Sequence, residues 1–224
     1  MSPFVPRFAA LPSALPIFPL TGALLLPRGE LPLNIFEPRY LAMTRDALAG
    51  ERLVGMVQPL GDKGDAGEPA VYRIGCAGRL TQFSETEDGR YLITLTGLLR
   101  FDIVEELPRE GRLYRRVVPD WGRYRGDLDE KHEQHAPLAR ERFLAALKPF
   151  FARHQIAADW QALATADDER LVTAIAMVGP FAPSEKQALL EAKTLAERAR
   201  LLTALIEMSA SAPAPDPESG VTRH

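Results

Sequence analysis

Leu31-Pro32-Leu33-Asn34-Ile35-Phe36-Glu37-Pro38-Arg39-Tyr40 is the stretch on which the fold turns. Leu31 to Phe36 reads as a strand, and a helix follows at once. Pro38 suits the first helical position, where its missing N–H has no intrahelical partner to lose. Tyr40, Leu41, Thr44 and Leu48 supply an apolar stripe, and Gly50 ends the helix. A strand running straight into an amphipathic helix, within a region otherwise rich in short apolar runs, predicts a mixed α+β fold.

Working outward, short apolar runs separated by Pro and Gly continue to about Trp121. Ile17 to Leu20, Arg52 to Gln58, Tyr72 to Glu85, Tyr91 to Leu99 and Tyr114 to Trp121 are the other strand candidates. Pro19 and Pro32 each remove a ladder donor, which predicts edge or irregular strands there. Glu87-Asp88-Gly89-Arg90 reads as a hairpin turn, because Asp-Gly tolerates positive φ.

After Asp129 the period changes to that of helices. Leu144, Leu147 and Phe151 recur at helical spacing, and Pro149 is expected to kink or end that helix. Asp167-Asp168-Glu169 opens another, with Leu171, Ile175 and Val178 on its apolar face and Gly179-Pro180 as its stop. Ser184 to Gln187 and Thr194 to Glu197 have the spacing of capping boxes. Leu195, Ala199, Leu202 and Ile206 form the stripe of a last helix. The expected organisation is a β-rich part over residues 1–125, a helical part over 126–208 and a disordered tail over 209–224, whose Ala-Pro-Asp-Pro composition cannot bury enough surface to order itself.

Leu15-Pro16-Ile17-Phe18-Pro19-Leu20, Phe36-Glu37-Pro38-Arg39-Tyr40, Gly75 with Thr96-Gly97-Leu98-Leu99-Arg100-Phe101, and Phe181-Ala182-Pro183-Ser184-Glu185-Lys186-Gln187 through Glu197-Arg198 occur in the order and spacing of one family. Over roughly residues 13–208 the sequence resembles the N-terminal substrate-binding domain of the Lon ATP-dependent protease. The resemblance implies a PUA-like pseudo-barrel of mostly antiparallel strands with one helix, followed by a small helical bundle. It also implies recognition of exposed polypeptide segments, with an adaptor role in protein quality control. Proteolysis does not carry over. The sequence has no G-x-x-x-x-G-K-[ST] run to cradle a nucleotide, and the Ser–Lys dyad region of the Lon peptidase is absent. A non-catalytic protein without cofactor or metal is the expectation.

The composition fits that reading. Of 224 residues, 46% are hydrophobic and 25% charged, and the net charge of −3 gives no global attraction to nucleic acid or anionic membranes. The single cysteine, Cys76, forms neither an internal disulfide nor a CxxC site, which is compatible with a cytoplasmic location. No run of about 18 uncharged apolar residues is present to span a bilayer. Pro12 and Pro16 interrupt the apolar run at the N-terminus, which therefore reads as mature sequence.

Candidate chemistry is sparse. His132 and His135, with Asp127, Asp129 and Glu130 nearby, lack a third metal ligand, and a solvated connector is the simpler reading. Ser184 and Lys186 are close in sequence, but the capping box accounts for the serine. Cys76 sits in a predicted strand as a small hydrophobe. The glycines at 61, 64 and 67 alternate with acids that repel phosphate, which indicates a surface loop.

Two binding surfaces compete. Proline-broken edge strands leave backbone groups free to pair with an extended peptide, which nominates Pro32, Leu33, Phe36, Arg39 and Tyr40. Phe36 and Tyr40 are alternatively core residues. The partner would be an unfolded or extended polypeptide, or one dedicated protein. The second surface is an RNA-binding alternative. Arg109, Arg112, Arg115, Arg116, Arg123 and Arg125, interleaved with Tyr114, Trp121 and Tyr124, offer cations and stacking platforms. Strand alternation works against it, by splitting the arginines across two faces to pair with acids.

Overall fold

A computed structural model describes residues 7–61, 68–129 and 139–211. Six strands come first: β1 (Leu15–Pro19), β2 (Glu30–Ile35), β3 (Leu53–Val57), β4 (Ile74–Glu85), β5 (Tyr91–Leu107) and β6 (Arg115–Asp120). One helix, α1 (Pro38–Ala49), interrupts them. Five helices follow: α2 (Arg140–Arg153), α3 (Trp160–Thr165), α4 (Asp168–Val178), α5 (Pro183–Glu191) and α6 (Leu195–Ser211). The fold is thus mixed α+β, as the change of period indicated. The last helix runs through Ser211, past the expected boundary at 208, and residues 212–224 lie outside the described ones.

The sheet order is β2-β5-β4-β3-β1-β6, and β6 also pairs with β5. Five strands therefore close a circuit, β5-β4-β3-β1-β6, and β2 stands outside it. The length of β5 makes this possible. Its first residues pair with β2 (Tyr91 to Thr96), and its last pair with β6 (Asp102 to Leu107) along the same edge. The sequence reading ended this strand at Leu99. It missed the continuation because Phe101-Asp102-Ile103-Val104-Glu105-Glu106 is charged, and the acids pair across to β6 and its arginines.

One expectation about proline is corrected. β1 lies inside the sheet, between β3 and β6. It is staggered, so that β6 covers Leu15 to Ile17 and β3, in parallel, covers Ile17 to Pro19. Pro16 and Pro19 each face a single partner strand, so the lost donors fall where no second ladder runs. β2 behaves as expected: among the described residues it pairs with β5 alone.

The turn between β1 and β2 buries Leu24, Leu25 and Leu26 completely. Gly97 makes room for it. A Cβ there would lie 2.0 Å from the Leu26 carbonyl oxygen, so the turn passes over β5 only where β5 lacks a side chain. Gly78 does the same for Leu25, whose Cδ2 would be 2.6 Å from an added Cβ.

Among the helices, Asp167 caps α4 by accepting from the Arg170 amide (2.8 Å). Pro149 does not end α2, which continues to Arg153. The Ser184 capping box is also corrected. α5 starts two residues earlier, at Pro183, and the Glu185 carboxylate accepts from the Ala182 amide (2.7 Å), leaving Ser184 inside the first turn. Gln187 is buried and donates to the Ile74 carbonyl (3.1 Å). The second box holds in part: Thr194 Oγ1 accepts from the Glu197 amide (3.1 Å), while Glu197 accepts from the amide of Lys193. Val178 was placed on the apolar face, but it is 68% exposed, because α4 turns Leu171, Val172, Ile175 and Ala176 inward instead.

Of two apolar clusters, one lies within the sheet, with Leu15, Ile17, Leu99, Phe101, Val117 and Trp121, and the other joins strands to helices. Phe18, Met43 and Leu95 belong to the same apolar cluster as Phe143, Leu147, Phe150 and Leu202. Buried cations fasten the two parts. Arg100, on β5, donates to both carboxylate oxygens of Asp127 (2.9 Å each) and to the Leu190 and Ala192 carbonyls at the end of α5. Burial opposes the Arg100 charge, and the hydrogen bonds and charge of Asp127 more than offset it. Arg198 Nε donates to Leu189 O (2.8 Å), and burial beside the Arg100 charge pushes its guanidinium down to about 10. Lys186 Nζ reaches back to the Gly22 carbonyl (2.7 Å) and also holds Met177 O.

Candidate functional site

β2, β4 and the first part of β5 form a three-stranded antiparallel wing. Its inner face carries Ile35, Tyr91, Ile93 and Leu95 into the core beneath α1. Its outer face carries two rows across the strands, Pro32–Thr94–Gln82 and Asn34–Leu92–Ser84. Together with Leu33, Phe83 and Ile93 these residues line a shallow depression of about 540 Å³. Threonines knit the floor: Thr94 Oγ1 donates to Gln82 Oε1 (3.1 Å), and the Thr81 and Thr96 hydroxyls are 2.9 Å apart.

The free edge of β2 has a definite chemistry. Gly97 N donates to Gly29 O (2.8 Å) in the register of the ladder, although the Gly29 amide turns away to Leu26 O (3.0 Å), so position 29 marks the bonded phase of the strand. Bonded and non-bonded positions alternate in an antiparallel ladder. Leu31, Leu33 and Ile35 therefore exchange bonds with β5, and Glu30, Pro32 and Asn34 direct their backbone groups outward. Pro32 stands where its missing N–H would have faced the open edge, so the β2–β5 ladder loses nothing. The edge offers the N–H groups of Glu30 and Asn34 and three carbonyls.

The five nominated residues separate. Pro32 is exposed and Leu33 half-buried. Phe36, just past the end of β2, is 63% exposed, so the core alternative does not describe it. Tyr40 is core: it is 5% exposed, and its ring centroid is 4.0 Å from that of Phe18. The first turn of α1 rotates Tyr40 inward and leaves Phe36 outside. Arg39 pairs with Glu37 (2.8 Å) and Glu68 (2.9 Å) and lies over the Tyr40 ring. Sequence reasoning missed Leu92, which is 46% exposed. The signal was present in Tyr91-Leu92-Ile93-Thr94-Leu95-Thr96, where Leu92 is the apolar member of the otherwise threonine-bearing face.

The arginines of 109–125 are largely engaged. Arg115 is buried and forks onto Glu106 (2.8 and 2.6 Å), with Pro69 O as a further acceptor. Arg112 and Arg116 share Glu110, Arg109 meets Glu68, and Arg123 meets Asp102. Arg125 lies over the Phe8 ring. Tyr114, Trp121 and Tyr124, the proposed stacking platforms, are all buried. Splitting by strand alternation is what is observed for Arg115 and Arg116.

Other sequence candidates resolve simply. Burial, reinforced by the Asp127 charge, pushes the Cys76 thiol far up, which makes it inert at neutral pH. Lys186 is held by carbonyls, and Asp127 is occupied by Arg100. His132, His135 and Glu130 lie outside the described residues, as do Gly64 and Gly67. Among the described residues no group of three or more His, Cys, Asp or Glu is gathered to hold a metal ion. No described helix is long and apolar enough to cross a membrane.

This arrangement of sheet and helices is that of a Lon N-terminal domain. A Lon N-terminal domain protein from Xanthomonas campestris superposes with a TM-score of 0.58 at 23% identity, covering 85% of this chain and 97% of that one. The N-terminal domain of Mycobacterium avium complex Lon protease gives 0.60 at 18% identity, covering 86% and 97%. The chain belongs to the family of the ATP-dependent protease La (LON) substrate-binding domain, whose model matches residues 14–208. Among curated relatives, Lon protease of Anaeromyxobacter dehalogenans is 29% identical over 108 residues, 48% of this chain and 13% of that protease. Lon protease 2 of Myxococcus xanthus is 30% identical over 108 residues, again 48% and 13%. The match thus spans about an eighth of the length of these proteases.

Proposed function

We propose that this protein is a non-catalytic recognition domain that binds extended polypeptide segments along the open edge of β2 and the outer face of its wing. The observation that carries the reading is the pairing of that free edge with exposed Phe36 and Leu92. Backbone groups supply affinity for any sequence, and the apolar side chains favour segments that a folded protein would hide. The family supports the kind of partner. A match to a substrate-binding domain supports a role in recognition, which would serve protein quality control. Engagement of the arginines with acids leaves the RNA reading without a specific observation in its favour.

The test is fluorescence anisotropy of a labelled, permanently unfolded polypeptide titrated with the full-length protein at physiological salt. Saturable binding tighter than about 100 μM, or ~5.5 kcal/mol, is expected. Phe36→Asp and Leu92→Asp should each weaken it about ten-fold with unchanged melting curves. Absence of saturation up to that concentration sinks the proposal.

A further inference from the structure

Beyond the wing, the turn Arg28–Glu30 faces α4 across a cleft of about 560 Å³. One side of α4 forms the far wall, through Arg170, Thr173, Ala174, Met177 and Val178, at the i, i+3, i+4, i+7, i+8 positions of one helix face. The turn is pressed against this wall: a Cβ on Gly29 would lie 2.2 Å from Met177 Sδ. The floor is apolar. Two of its polar groups are uncommitted. Thr173 is 6% exposed, yet its hydroxyl has no hydrogen-bond partner among the described residues. The Arg170 guanidinium is exposed and meets no carboxylate among them, since the neighbouring Glu169 pairs with Arg28 and Asp167 caps the Arg170 amide. The Thr173 oxygen is sealed beneath the cleft lining, so the exposed Arg170 guanidinium is the group that a ligand would meet.

The cleft and the wing are joined by β2 itself. Glu30 lines the cleft, and Pro32, Leu33 and Asn34 line the depression on the wing. At about 3.3 Å per residue the distance from Gly29 to Asn34 is roughly 17 Å, the span of a six-residue strand. We infer that the cleft is the second half of one peptide track, in which a segment laid on the β2 edge continues past Glu30 and places an apolar side chain against Ala174, Met177 and Val178, followed by a carboxylate on Arg170. The preferred ligand is then an extended apolar segment ended by an acidic residue or by a free C-terminal carboxylate. Of the other charges lining the cleft, Arg28 on the strand side pairs with Glu169 on the α4 side and Asp167 caps α4, which leaves Arg170 and Glu30 on opposite walls to set the direction of the peptide.

This inference rests on the proposed peptide recognition at β2, and the experiment separates the two. Three fluorescein-labelled peptides are titrated with the full-length protein: eight alternating valines and threonines, the same segment extended by Leu-Asp, and the same extended by Leu-Lys with an amidated end. The Leu-Asp peptide is expected to bind at least ten-fold more tightly than the unextended one. Arg170→Glu should remove that gain and favour the Leu-Lys peptide, and Glu30→Lys should increase it. Ala174→Trp, a change at an exposed helix position, should fill the cleft and bring all three peptides to the affinity of the unextended one. Equal affinities for all three peptides in the unchanged protein would overturn the track while leaving recognition at β2 standing. Failure of every peptide to bind would overturn both.

Discussion

Gly97 shows how one missing atom controls the architecture. It is a point at which the Leu24–Leu26 turn crosses β5, and the obstructing atom, the Leu26 carbonyl oxygen, is backbone that cannot rotate away. Gly97→Ala is therefore expected to destabilise the fold by about 2–4 kcal/mol in urea unfolding, near the upper end for a single substitution. Glu68 makes a prediction about pH. Burial raises its carboxyl, but the hydrogen bond and charge of Arg109, with Arg115 and Arg39 behind, outweigh this and hold it below the usual carboxylate range. A carboxyl depressed on folding contributes stability that is present above its unfolded value, near 4.5, and lost as pH falls through the folded value. Between pH 7 and pH 3 the unchanged protein should thus lose more melting temperature than Glu68→Gln does. Equal losses would remove Glu68 from the account. The sequence contained both residues in plain view, but neither role was legible. Gly97 was recognisable only as part of a pattern, and the partners of Glu68 are 29 and 41 residues away.

At the scale of elements, the reading succeeded where local chemistry decides and failed where a distant partner does. The start of α1 at Pro38, the Asp88-Gly89 turn, the opening of α4 at Asp167-Asp168-Glu169 and the stripe of α6 all follow from residues within a few positions of each other. The interior place of β1 was not legible, because it depends on β6 being about 100 residues distant and in a staggered register. Exposure of Phe36 beside burial of Tyr40 was likewise left open, since only the rotation of α1 against Phe18 decides it. β2 itself carries a prediction. Pro32 removes one donor from an otherwise open edge, which guards against pairing with other copies of the protein. Pro32→Val restores that donor without disturbing the β2–β5 ladder. It is expected to promote concentration-dependent self-association in sedimentation velocity, and to tighten binding of unfolded polypeptide. A variant that stays monomeric with unchanged affinity would show that the edge is not used.

For the whole molecule, the apolar cluster that spans both parts and the Arg100 fastening are expected to make strands and helices unfold together. Asp127→Ala leaves the Arg100 charge buried without its partner, at a cost of about 3–5 kcal/mol. Arg100→Met with Asp127→Leu removes both charges, so the double variant should be less destabilised than the sum of the singles. The two tryptophans report on the two parts, Trp121 among the strands and Trp160 at the start of α3. Single-tryptophan versions are expected to unfold at the same urea concentration. Separate midpoints would mean that the parts melt independently. One apolar cluster crosses the expected boundary near residue 125, from Phe18 and Leu95 to Phe143 and Leu202, while the second, with Trp121, lies almost wholly on its N-terminal side.

The stagger of β1 also has a consequence for how the protein is made. Ribosomes deliver β1 early, yet its β6 partner ends at Asp120, and the lysine that holds Gly22 arrives only at position 186. At roughly 5–20 residues per second, the nascent strand waits about 5–20 seconds for β6 to be synthesised, and longer for Lys186. During that interval Leu15, Ile17 and the triple leucine are apolar surface without a final home. On the proposed function, a domain that takes up other proteins' exposed segments is itself, at birth, a segment of the kind it would bind.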